Sequence, residues 1–164
     1  MRKSIGLLVT LTAAMCLGAL SAIAPSASAE DTSAQATYRD IEKTLGTVPS
    51  FFRQFPEVGI AGAWAEFKSI QLNPHTELDA KTKELIGLGL ASQIPCQYCV
   101  YFHTQAAKAN GATDEEIREA VAMAAIVRHW STVLNGMQVD FAGFKKEVDT
   151  VLRIAGERAK KANK

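Results

Sequence analysis

Cysteine is scarce in this chain, with three in 164 residues, too few to knit a small disulfide scaffold. Charge of one sign is missing too. The formal net charge of +1 offers no basic field for phosphates, which sets nucleic-acid binding aside. Charged residues make up 21% against 48% apolar, which is the composition of a folded chain rather than a disordered one. No stretch alternates apolar and polar residues between turn signals, so no strand is read. The length suits one domain. The expectation is an all-α fold, a single helical domain of six or seven helices.

What is present begins with an export pattern. Met1-Arg2-Lys3 is cationic, Ile5 to Ile23 is almost wholly apolar or small, and Ala27-Ser28-Ala29 has the small-x-small form of a signal-peptidase site. Residues 1–29 therefore read as a secretion signal peptide. An uncleaved anchor is the alternative, because about 19 uncharged residues can just span a bilayer. A lipid anchor on Cys16 is disfavoured by Met15, which stands where a small residue is expected. Cleavage after Ala29 would leave 135 residues, 30–164, with 16 basic and 17 acidic side chains. Cys96 and Cys99 would then be the only cysteines. No second apolar run reaches membrane length, so the mature protein is expected to be periplasmic or secreted, with no membrane association after cleavage.

Along the mature chain, Glu30 to Ala36 reads as a loose tail. Tyr38 to Leu45 has helical spacing and is ended by Gly46. Ser50 is a possible N-cap, and Phe51, Phe52 and Phe55 follow as anchors. Glu57 to Ile70 reads as a helix burying Ile60, Trp64 and Phe67. Leu78 to Ala91 reads as a central apolar helix. Pro95 suits the first position of the next one, which runs from Cys96 to Ala109 and stops at Asn110-Gly111. Thr113-Asp114-Glu115-Glu116 is a capping box opening a helix to about Leu134. Val139 to Ala159 is a last amphipathic helix with a fraying basic end. Trp130 is assigned to the core, His129 to a partly buried structural role, and His75 to an exposed loop.

Chemistry concentrates in Glu84, Cys96, Cys99 and His103. On one helix Cys96, Cys99 and His103 fall at i, i+3 and i+7, a single face. Cysteines in a first helical turn meet unpaired amide N–H groups that favour thiolate, the reactive form. His103 can accept or relay a proton. Glu84, on the preceding helix, can fold back as a carboxylate base. Three readings stay open. A structural disulfide would close only a four-residue ring and constrain little of the unfolded chain. A metal site would lack a second cysteine or histidine pair. A redox-active dithiol uses all four residues and is preferred, with no cofactor called for. A thioredoxin-type fold is disfavoured, because its motif follows a strand.

Glu84, then Cys96-x-x-Cys99-x-x-x-His103, resembles the active-site signature of the alkylhydroperoxidase D-like proteins of the carboxymuconolactone decarboxylase superfamily. Val48-Pro49-Ser50-Phe51-Phe52 with Pro56, and Gly111 to Ile117, resemble its peroxidase-related branch. The resemblance covers roughly Leu45 to Gly136. It implies an AhpD-like helical protomer assembling as a trimer or hexamer, and a thiol-dependent peroxidase acting on hydroperoxides. Cys99 would attack the peroxide, Cys96 would resolve the sulfenic acid as a disulfide, and Glu84 and His103 would relay protons. A thiol or disulfide electron donor, unknown in identity, would restore the dithiol. Tyr98 stands where the best-known members carry a histidine. The alternatives are therefore a dithiol–disulfide oxidoreductase with little peroxidase activity, and a non-catalytic assembly module with a structural disulfide. Members that decarboxylate lactones lack the cysteine pair.

Overall fold

A computed structural model describes residues 27–163, with backbone alone for 27–32. The signal-peptide reading falls largely on residues outside that range. The described residues contain six α-helices, one short 3₁₀ turn and no strand: α1 (Ala27–Leu45), the turn at Ser50–Gln54, α2 (Glu57–Ile70), α3 (Ala80–Gln93), α4 (Gln97–Ala109), α5 (Asp114–Gly136) and α6 (Phe141–Ala162). They fall into two compact units that part after Trp64, within α2.

In the first unit, α1 starts earlier than the sequence suggests, and the segment expected to be a loose tail is helical. Ala34, Thr37, Tyr38 and Ile41 are all buried at i, i+3, i+4 and i+7, so the buried face continues backward through a small residue. Gly46 ends the helix at φ +81°, a left-handed conformation that glycine takes without penalty. Pro49, not Ser50, occupies the cap of the 3₁₀ turn, with no side-chain cap bond. Trp64 is buried, donates from Nε1 to Asp40 Oδ2 at 2.6 Å, and meets the Phe52 ring edge-on at 5.6 Å. Phe51 and Phe55, expected as anchors, are exposed.

In the second unit, α3 packs against both α4 and α5 and buries Leu88 and Ala91. It starts at Ala80 rather than Leu78 because Asp79 caps it, accepting the Thr82 N–H at 2.7 Å. α4 ends in a Schellman arrangement. Gly111 takes φ +86°, its N–H reaches Lys108 O at 3.0 Å, and Ala112 N–H reaches Ala107 O at 2.9 Å. The capping box forms as read: Glu116 N–H donates to Thr113 Oγ1 at 3.1 Å and Thr113 N–H to Glu116 Oε2 at 2.8 Å. Gln93 ties the end of α3 to α5, donating to Ala124 O and accepting from Arg128 Nε. α6 begins after Asp140, which caps Gly143 N–H, and remains helical to Ala162 instead of fraying at Ala159. Trp130 and His129 are exposed, against expectation, and stack edge-on. Helical spacing puts residues on one face but does not say what covers that face.

Surface ion pairs and a helix cap contribute to the pH response of this unit. The hydrogen bond from Lys81 Nζ to Glu116 Oε1, 2.7 Å long, lowers the carboxyl pKa and raises that of the amine. The Thr82 N–H lowers Asp79, and the Lys108 ammonium lowers Asp114. A lowered carboxyl stabilises the fold above its unfolded value, about 4. That contribution disappears as pH falls through the lower folded value. The melting temperature is therefore expected to fall on acidification below about pH 4.5, and to fall less steeply in Glu116→Gln. Parallel acid limbs in thermal scans of the two proteins would contradict it.

Candidate redox site

The linker Ile94-Pro95 sets the site. The sequence favours a helix starting at Pro95, but α4 starts at Gln97 and Cys96 is its N-cap, with Cys96 Sγ accepting the Cys99 N–H at 3.2 Å. A disulfide sulfur thus fills the place of the usual capping oxygen and takes up one orphan donor of the first turn. The two cysteines are joined as a disulfide, with Cα atoms 5.3 Å apart, inside the range a disulfide bridges. Both are half-buried, and Tyr98 between them is 79% exposed.

One turn further on, His103 turns toward α3. Its Nδ1 lies 2.7 Å from Glu84 Oε2. A carboxylate can only accept, so Nδ1–H donates; in the neutral imidazole Nε2 then carries the lone pair. Glu84 is 4% exposed, a charge placed where burial is costly unless it is hydrogen-bonded. Both its oxygens are engaged, since Gln71 Nε2 donates to Oε1 at 3.1 Å and approaches Oε2 at 3.4 Å. The Phe102 ring meets His103 edge-on at 5.3 Å, and Phe67 lies 6.3 Å from Phe102.

The approach of His103 to α3 depends on a missing side chain. A Cβ added at Gly87 would stand 2.5 Å from His103 Cε1 and Nδ1 and 2.8 Å from Nε2. Gly87 is one turn after Glu84, so a carboxylate and a vacant niche lie side by side on α3.

The four residues singled out in the sequence are thus placed on two packed helices. Glu84 meets His103 rather than a sulfur, and the cysteines meet each other. Two contributors escaped the sequence reading. Gly87 had a signal, because a glycine inside a helix costs about 1 kcal/mol relative to alanine and so suggests a close approach. Gln71 had none, being a loop residue thirteen positions before Glu84. His75 is an exposed loop residue, as read.

The all-helical arrangement is that of the AhpD-like class. The alkylhydroperoxidase AhpD core of Rhodospirillum rubrum superposes with a TM-score of 0.59 over 75% of this chain and 93% of that one, at 23% identity. The carboxymuconolactone decarboxylase family model matches residues 59–140, half of the chain, and the chain belongs to that family. It is also 41% identical over 51 residues to "Uncharacterized protein 4 in cox locus" of Paracoccus denitrificans. That match takes in 31% of this chain and 46% of the relative, less than half its length.

Proposed function

We propose that this protein is an exported thiol-dependent peroxidase that reduces hydroperoxides through a Cys96–Cys99 dithiol/disulfide cycle. One observation carries the reading: a bonded cysteine pair opens the helix whose next turn holds His103, itself held by the buried Glu84. In the reduced enzyme His103 Nε2 takes the Cys99 proton, directly or through a water. The thiolate attacks the outer peroxide oxygen and the O–O bond breaks. Cys99 becomes a sulfenic acid, and the departing alkoxide takes the proton from His103 to leave as alcohol. Cys96 thiolate then displaces hydroxide from the Cys99 sulfur, which with a proton gives water and the disulfide. An external dithiol restores both thiols by exchange, becoming a disulfide itself. Glu84 holds the imidazole in the tautomer this relay needs, as the carboxylate does in a hydrolase triad.

A second reading has one specific observation in its favour. Tyr98 stands beside Cys99 where the best-known members of the family carry a histidine, and it is exposed. It supports dithiol–disulfide exchange with little peroxide chemistry. Wild-type protein supplied with dithiothreitol is expected to consume an alkyl hydroperoxide faster than it reduces a disulfide probe such as oxidised glutathione. The reverse order would move the assignment to the exchange reading.

The same proposal includes a homo-oligomer, trimer or hexamer, and residence in the periplasm or outside the cell. α5 and α6 bury no residue of their own, and Val127, Trp130, Val151 and Leu152 are each more than half exposed. A soluble monomer rarely leaves so large an apolar surface open. Light scattering is expected to give a multiple of the protomer mass, and a monomer at micromolar concentration would contradict it. N-terminal sequencing of the exported protein is expected to begin at Glu30.

A further inference from the structure

We propose that Gln71 is a positioning residue that sets the Glu84 carboxylate, and through it the His103 imidazole. The role rests on the thiol chemistry above, but the geometry behind it is independent of which substrate the thiols meet.

A glutamate carboxylate turns easily about its last torsion. One hydrogen bond to His103 leaves that rotation free, whereas a second donor on the other oxygen fixes the plane. Gln71 Nε2 is that donor, 3.1 Å from Oε1, while Oε2 faces His103 at 2.7 Å. The amide has only one group able to donate, so facing a carboxylate settles which way it points. Its own oxygen then turns away from the charge. A neutral donor also leaves the negative charge on Glu84 uncancelled, so that charge remains available to the imidazole.

The loop carrying Gln71 is held on two sides. Gln71 N–H bonds back to Phe67 O at 2.9 Å, which continues the last turn of α2. From the other side Lys83, next to Glu84 on α3, directs its ammonium at Ile70 O and Asn73 O, both at 2.8 Å, and at Thr76 Oγ1 at 2.6 Å. An ammonium has three protons, and these three acceptors take them all. Thr76 Oγ1 contacts Asn73 O and Leu78 O, and His75 N–H donates to Asn73 Oδ1, closing the loop on itself. Successive residues of α3 thus hold the two ends of one device. Lys83 fastens the loop, and Glu84 receives the side chain that the loop delivers.

Gln71→Met keeps length and shape and removes the donor, and Gln71→Glu replaces it with a like charge. With hydroperoxide and dithiothreitol, both are expected to lower kcat on the order of 10-fold with KM held, as removal of an orienting partner does. A readout free of turnover accompanies this. In histidine-labelled protein the Nδ1 proton of His103, assigned by its loss in His103→Gln, is expected as a protected resonance in wild type. It is expected to be lost to exchange in both Gln71 variants while far-ultraviolet circular dichroism is unchanged. His75→Ala, on the same loop, is expected to leave both readouts as they are. A protected Nδ1 resonance that persists in Gln71→Met would overturn the proposal. If wild type turns over no peroxide, the peroxidase reading fails by itself, and the resonance still decides the part played by Gln71.

Discussion

Cys99→Ser is expected to reduce dithiol-dependent hydroperoxide consumption to the background rate of the dithiol alone. A serine hydroxyl at this position has nearly the shape of the thiol but neither its acidity nor its polarisable electron pair, and thiolate is the species that opens an O–O bond. Cys96→Ser should behave differently. Serine is a good N-cap, so it can take over acceptance of the Cys99 N–H that Cys96 Sγ now receives at 3.2 Å, and α4 keeps its start. Cys99 then still reacts once. A rapid burst of one equivalent of peroxide, followed by slow turnover through an unresolved sulfenic acid, is the expected trace. If the two variants exchange phenotypes, the attacking and resolving roles belong to the opposite sulfurs.

Gly87→Ala should separate activity from stability. The new methyl would stand 2.5 Å from two atoms of the His103 ring, too close for either to stay. The ring is the end of a side chain with two torsions and lies at a partly open position, so it can swing away where a backbone could not. The helix itself gains from the exchange of glycine for alanine by about 1 kcal/mol. Against this, Glu84 loses one of its partners while remaining buried, a cost of about 1–3 kcal/mol. Net destabilisation is therefore expected to stay within about 2 kcal/mol. Peroxide turnover is expected to fall on the order of 10²-fold, the usual share of a general acid–base group. Denaturant titration beside steady-state kinetics reads both. Full activity in Gly87→Ala would mean that the Glu84–His103 contact does not serve the chemistry.

Much of this architecture was legible where the interactions are local. The Thr113 capping box, the Asn110-Gly111 stop and the glycine ending α1 involve residues only a few positions apart, and each formed as read. Cys99 and His103 share α4, as their spacing implies, while Cys96 stands at its cap rather than within it, and Glu84 finds its partner in His103. What escaped depends on contacts distant in sequence. α1 extends back beyond Tyr38 through the buried Ala34, whose small side chain carries little hydrophobic signal. Trp130 and Phe51 have the composition of core and lie exposed, because a periodic pattern cannot name its cover. The cap at Cys96 was hidden because cysteine is an uncommon cap and Pro95 suits a first helical position so well. Gln71 reaches Glu84 from a loop that Phe67 O and the Lys83 ammonium both hold, contacts that no local pattern announces.

The most direct test of the cysteine pair as the peroxide-reducing centre is a stoichiometric titration. Fully reduced protein receives one equivalent of alkyl hydroperoxide without added reductant. The remaining thiols are alkylated, and the peptide carrying Cys96 and Cys99 is weighed. A redox-active pair predicts that one equivalent of peroxide consumes both thiols, leaves that peptide unalkylated with an internal disulfide, and yields one equivalent of alcohol. A peptide recovered with both cysteines alkylated and the peroxide intact would contradict it.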